Sequence, residues 1–363
     1  MNAEQAVNLV EPTLANEQGH CLSLVRAVCA AGGGLAWRLW VDKGARLPEL
    51  EAPAVRIEPY FNRRLRKLQL PFLYRRLLAR PGSILITTAG RVDLLALALA
   101  ARGVIPPGKA FAWFHWMTLS PSKRAFFERF ARRQPNVVVL GTTPSVERAL
   151  RECGFAHTAV VPYPATLDTG LVPAAPAAFR HVLFAGAARG DKGFRHVVDL
   201  VERLHRCGES IPVWVQASAD HYDKVDASVR ADLERLHRIG YAPLTIARNT
   251  LSAREYVEAF AGGICLQPYD RHAFADRVSG VLLDALSAGC PVVTVAGTWM
   301  ARAVKRFDAG AVVDEASAQA LHEAVLYVRE NYARMQENAR RGGEALRHET
   351  SLAALIERLK RSG

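Results

Sequence analysis

Two series of short apolar runs, each run followed by a helical stretch, constrain this chain more than any other feature. In the first series residues 6–10, 35–41, 83–88, 109–115 and 136–141 read as strands, and a loop with Pro48 and Pro53 leads into residues 55–59. Helical stretches fall between them at 21–31, 64–80, 91–102, 121–133 and 144–152. The second series has strands at 181–186, 213–216, 244–247, 263–268, 291–295 and 309–313. Near-continuous apolar strands are buried on both faces, and strands alternating with helices make a parallel sheet with crossovers. Residues 166–178 hold Pro, Gly and Ala without periodicity and read as a linker. The expected fold class is therefore α/β, with two Rossmann-like domains of parallel strands facing one another across a cleft. The first domain spans 1–165 and the second 179–340, and a C-terminal helix at 341–363 packs back on the first.

At 363 residues the chain fits two domains of ordinary size. No apolar run reaches the roughly 18–20 residues that span a bilayer; the run from Leu94 to Ala101 is flanked closely by Arg91, Asp93 and Arg102. The first residues lack the basic start and cleavage site of an export signal, so a cytoplasmic location is expected. Six cysteines show no CxxC pairing, which predicts reduced thiols and no structural zinc. The net charge of +12 is unevenly spread. Residues 1–165 hold 22 Lys and Arg against 11 Asp and Glu, whereas the remainder is nearly balanced at 25 against 24. A field of that sign calls for an anionic partner.

The stretch from Phe274 to Val293 carries the clearest local signal. A polar turn opens a helix at Ser279, Gly280 and Val281, and Gly289 ends it before Pro291 leads into a buried strand. Amide groups at the helix start, at the positive end of its dipole, suit an anion. Asp276 and Asp284 bracket that start eight residues apart. Carboxylates beside an anion site suit a ligand with hydroxyls next to a phosphate; the plainer alternative is a capping Asp276 and a solvated Asp284. The loop 184–194 places Gly186, Arg189 and Lys192 after a strand and matches neither GxGxxG nor GxxxxGK[ST]. Its cations could neutralise a diphosphate, or the loop could simply be solvated. His115 ends a strand between Trp113 and Trp116, a place for a packed residue or a ligand contact.

These residues resemble retaining GT-B glycosyltransferases of family 4, the "glycosyl transferases group 1" type. The acid-x7-acid signature stands here as Asp276-x7-Asp284, with Asp where Glu is usual, followed by AlaLeuSerAlaGly and ProValVal. The Lys192–Gly193 pair resembles the family's Lys-Gly; Arg189 sits closer to the Lys than the family's Arg. The resemblance implies transfer of a sugar from a nucleotide-sugar donor to a glycan or lipid-linked acceptor, in cell-surface polysaccharide or lipopolysaccharide assembly. It implies that Asp284 holds ribose hydroxyls and Asp276 the transferred sugar. The amides of Ser279, Gly280 and Val281, with Gly186, Gly19, Arg189 and Lys192, would receive the diphosphate. His115 would orient or stabilise electrostatically, and neither a metal nor a bound cofactor would be required. His20, in a first loop with one Gly where a Gly-Gly pair is usual, would face the acceptor.

Residues 62–80 combine seven basic side chains, Arg63, Arg64, Arg66 and Lys67 among them, with Leu, Phe and Tyr. That pattern fits a helix on the anionic inner face of a membrane, or a solvated basic helix. No nucleic-acid fold signature accompanies it. Two other functions stay open from sequence: a nucleotide-sugar epimerase of the same two-domain shape, and a non-catalytic basic protein binding a membrane or polyanion.

Overall fold

A computed structural model describes residues 6–15, 20–50, 52–173, 175–217, 227–248 and 251–361. The chain divides into two compact units, Met1–Pro164 with Thr350–Gly363, and Ala165–Glu349. The first holds seven parallel strands: β1 (Ala6–Val10), β2 (Ala36–Asp42), β3 (Val55–Phe61), β4 (Ser83–Ile86), β5 (Ala110–Phe114), β6 (Val138–Gly141) and β7 (His157–Val160). Their spatial order is 3-2-1-4-5-6-7. Ile84, Ile86, Ala110, Ala112, Phe114 and Val139 point to one face, where helices Arg66–Leu78, Arg91–Ala100, Pro121–Arg133 and Pro144–Glu152 cover them. The intervening Leu85, Phe111, Trp113 and Leu140 are buried as well, which is why these strands read as unbroken apolar runs. One polar side chain inside this core, Asn8, is satisfied by Ser83 O at 3.2 Å and by the Trp40 indole N–H at 3.1 Å.

The second unit has six parallel strands: β8 (His181–Phe184), β9 (Val213–Gln216), β10 (Leu244–Ala247), β11 (Gly263–Gln267), β12 (Val292–Val295) and β13 (Gly310–Val313). They lie in the order 10-9-8-11-12-13. Helix starts follow local rules. Ser120 and Thr143 cap helices that begin on Pro121 and Pro144, and Ser252 with Glu255 forms a capping box. In both sheets the strand order reverses once, between β1 and β4 and between β8 and β11. Parallel sheets leave a crevice at the carboxyl ends of such strand pairs.

Two expectations are corrected. β7 is an additional strand: HTAV is short, half-exposed and at a sheet edge, so it lacks the apolar run that marks the interior strands. Residues 341–363 do not form one helix. Tyr332–Glu349 ends before Ala353–Lys360 begins, and between them the Ser351 hydroxyl accepts the Ala353 N–H at 3.3 Å. Among the described residues of 166–178 there is a single 3-10 turn, Thr169–Leu171, capped by Asp168.

Candidate active site

In the second unit the chain turns immediately after β8. Gly186 holds φ +95° and its N–H donates to Gln216 Oε1 at 2.7 Å. That amide is therefore engaged by the protein. A 3-10 turn over Gly190–Lys192 follows and closes on Gly193 at φ +68°. Gly193 is obligatory, because a Cβ there would overlap the carbonyl of Pro268 beyond β11. The tight turn sends Lys192 back toward Gly186. A Cβ built on Gly186 would stand 2.8 Å from Lys192 Nζ and 3.6 Å from Val281 Cγ2. The ammonium also lies 5.7 Å from the centroid of the buried Tyr269 ring. Burial chiefly, then Arg189 and Arg277, lowers the Lys192 pKa to about 8; Asp191 opposes them.

Val281 belongs to the helix Gly280–Ser287, which starts at the same crevice between β8 and β11. Ser279 is its cap: the hydroxyl accepts the Leu282 N–H at 3.3 Å and the carbonyl accepts the same N–H at 3.1 Å. The Gly280 and Val281 amides are left at the open end of the dipole, with no acceptor among the described residues. Asp276 is not the cap. It pairs with Arg302 at 2.9 Å near the surface.

Asp284 is not a solvated carboxylate either. The Tyr256 hydroxyl donates to Oδ2 at 3.0 Å, while Oδ1 is buried with no hydrogen-bond partner among the described residues. Burial pushes its pKa up to about 7, against the opposing hydrogen bond from Tyr256. The expected Arg189 is held by the Asp191 carboxylate, which Arg277 also reaches at 3.4 Å. Arg277 further stacks on Phe274, 4.8 Å from the ring centroid. The sequence reading missed Arg277 and Tyr256. Adjacency to Asp276 could have flagged the first; nothing local marks the second, 28 residues from its partner. From behind, the helix Tyr332–Glu349 approaches the site helix so closely that a Cβ on Gly343 would run into the backbone of Leu286 and Ser287.

In the first unit a separate polar group occupies the crevice between β1 and β4. Glu11 is 2% exposed and accepts hydroxyls from Thr87 at 2.9 Å, Thr88 at 2.7 Å and Thr13 at 2.6 Å. Nearby Asp93 accepts the Gly90 N–H at 2.9 Å, and burial raises its pKa to about 6. His115, just past β5, is 8% exposed and meets Trp113 and Tyr163 edge-on at 5.2 and 5.4 Å. Its carbonyl accepts the Thr142 hydroxyl at 2.7 Å. Glu11, Thr87 and Thr88 were not singled out in the sequence, because their association joins positions 76 and 77 residues apart. Gly19 lies outside the described residues, and of His20 only its place at the start of the helix His20–Ala31 is described. Arg63, Arg64 and Lys67 lie on the surface and Arg66 is half-buried.

Among the described residues no three His, Cys, Asp or Glu side chains group as metal ligands, and no helix is long and apolar enough to cross a membrane. A groove of about 680 Å³ along β13, lined by Val312 and Tyr327, contains none of the residues above.

The whole chain is similar to solved glycosyltransferase structures. Sucrose-phosphate synthase from Thermosynechococcus elongatus superposes with a TM-score of 0.72 at 16% identity, over 98% of each chain. The chain has the GT-B fold. Anabaena HepE in complex with UDP and glucose gives a TM-score of 0.70 at 14% identity, again over 98% of each chain. WaaG, a glycosyltransferase involved in lipopolysaccharide biosynthesis, gives 0.61 at 14% over 98% of each. No family model and no curated protein matches the sequence.

Proposed function

We propose that this GT-B protein is a retaining glycosyltransferase of the family 4 type that draws its sugar from a nucleotide-diphosphate donor. One observation carries the reading: Lys192 Nζ, held by an obligatory glycine turn, converges on the first turn of the helix Gly280–Ser287, whose Gly280 and Val281 amides have no acceptor among the described residues. A partly desolvated cation and a helix N-terminus aimed at one spot are arranged for a diphosphate. The negative charge on that diphosphate grows as its bond to the sugar breaks, so the same groups favour the transition state over the bound donor.

In this reading Asp284, whose Oδ1 has no hydrogen-bond partner among the described residues, takes a ribose hydroxyl, and Asp276 takes the transferred sugar. Arg189 and Arg277, already drawn together by Asp191, supply further positive charge at the diphosphate. His115 has an orienting or electrostatic role, and neither a metal nor a bound cofactor is needed for the chemistry. The likeness to complexes with UDP favours a uridine donor. The likeness to a lipopolysaccharide enzyme favours a glycan or lipid-linked acceptor at the cytoplasmic side of a cell envelope.

The test is a titration with UDP, GDP and ADP followed by thermal unfolding. Ligand at 100 times its dissociation constant should add about 2.7 kcal/mol to the stability. A shift with one diphosphate that Lys192→Ala removes is the expected result. Absence of a shift with every diphosphate would overturn the reading.

A further inference from the structure

Three helices lie side by side on one face of the first sheet, in the order Arg66–Leu78, Arg91–Ala100, Pro121–Arg133. Their inward sides, through Leu73, Leu77, Leu94, Leu97, Phe127 and Phe130, fill the core. The outward sides of the first two are not those of solvated helices. Leu65, Leu68 and Phe72 recur at i, i+3 and i+7, so they form one stripe facing away from the core, with Leu68 69% and Phe72 72% exposed. The neighbouring helix repeats the same spacing with Val92, Leu95 and Leu99, the last 67% exposed. Two adjacent apolar stripes in water carry a standing hydrophobic cost unless something covers them.

The exposed charges around the stripes are of one sign; Glu128 on the third helix is half-buried. Arg63, Arg64, Lys67, Arg75 and Arg76 lie exposed on the first helix and at its start, and Lys123, Arg129, Arg132 and Arg133 on the third. The single acid on the first two helices, Asp93, is turned inward to Gly90 and Tyr74. An apolar strip between basic flanks has two complements at once, acyl chains and phosphates.

We infer that this face docks on an anionic lipid bilayer. Leu68, Phe72, Leu95 and Leu99 enter the acyl boundary and the flanking cations meet the headgroups. Charge selects this occupant over a second copy, since face-to-face pairing would oppose two sets of exposed cations, with only the half-buried Glu128 of the third helix to offset them. The inference extends the membrane expectation from one basic stretch to a two-helix surface. It does not depend on the donor site, so either can fail alone.

Flotation of the full chain with mixed phosphatidylglycerol–phosphatidylcholine vesicles and with phosphatidylcholine alone tests it. Binding is expected only to the anionic vesicles, weakened but not abolished by high salt. The combined variant L68Q/F72S/L95Q/L99Q should lower partitioning by roughly tenfold or more, while melting temperature and diphosphate response stay as in the wild type, because these side chains face outward. Phe72→Trp should add emission that brominated acyl chains quench. No flotation with phosphatidylglycerol vesicles at low salt would overturn the inference, as would undiminished binding of the combined variant. A dimer in sedimentation that Phe72→Ser disperses, without lipid binding, would overturn it in favour of a second copy.

Discussion

Replacing Lys192 by Met should make the free protein more stable and a diphosphate ligand weaker. In the fold the lysine pKa falls from 10.5 to about 8, chiefly through burial. Holding its proton at neutral pH therefore costs about 3 kcal/mol by that difference, less where the half-buried side chain keeps water. Methionine fills the same space without charge, so a gain of about 1–3 kcal/mol is expected, several degrees in a domain of this size. Between about pH 8 and 10.5 the unfolded chain binds this proton and the folded chain does not. Wild-type stability therefore rises across that interval and converges on the variant at its upper end. Binding has the opposite dependence. A diphosphate needs the protonated lysine, so wild-type affinity for UDP should be flat below about pH 8 and fall up to about tenfold per pH unit above it. Calorimetric melting and isothermal titration with UDP across this range read both effects. A melting temperature that does not rise in Lys192→Met, together with undiminished UDP binding, would refute the placement of a desolvated cation at the anion site.

Three further outcomes follow from single positions. Gly280→Pro removes one N–H at the first helical position, where proline is compatible and Ser279 already has extended backbone (φ −102°, ψ 113°); it should leave the circular dichroism spectrum intact and weaken UDP binding by about 10- to 100-fold in titration. Gly193→Ala should cost several kcal/mol in a denaturant melt, as a Cβ at φ +68° meets the Pro268 carbonyl; wild-type stability would disprove the turn. Asp284 binds its proton more tightly folded than unfolded, so it makes stability fall as pH rises from its ordinary 3.8 to about 7. Asp284→Asn should remove that part of the slope, measured as melting temperature against pH.

What could be read from the chain alone depended on the range of the interactions concerned. The interior strands are marked by their own apolar runs, and the helices from Pro121 and Pro144 by Ser or Thr followed by Pro, so their bounds were legible to the residue. β7 was not, since an edge strand buries too little to need an apolar pattern. The acid pair and the Lys192–Gly193 turn were legible because each is a local spacing. Their chemistry was not: the Tyr256 hydroxyl donates to one oxygen of Asp284, Gln216 takes the Gly186 amide, and Thr87 and Thr88 meet Glu11 across the sheet. Each partner comes from another strand or helix, placed by topology rather than by neighbouring sequence.

The absence of a side chain at Gly343 acts as a spacer of no thickness between two helices. The backbone of Tyr332–Glu349 rests on that of Leu286 and Ser287, so the rear helix sets how far forward the site helix stands. A methyl group there would be a wedge driven in from behind, tilting the Gly280 and Val281 amides relative to Lys192 without touching any of them. The spacing between Lys192 and the first turn of the helix Gly280–Ser287 is thus adjustable from a position on the far side of that helix.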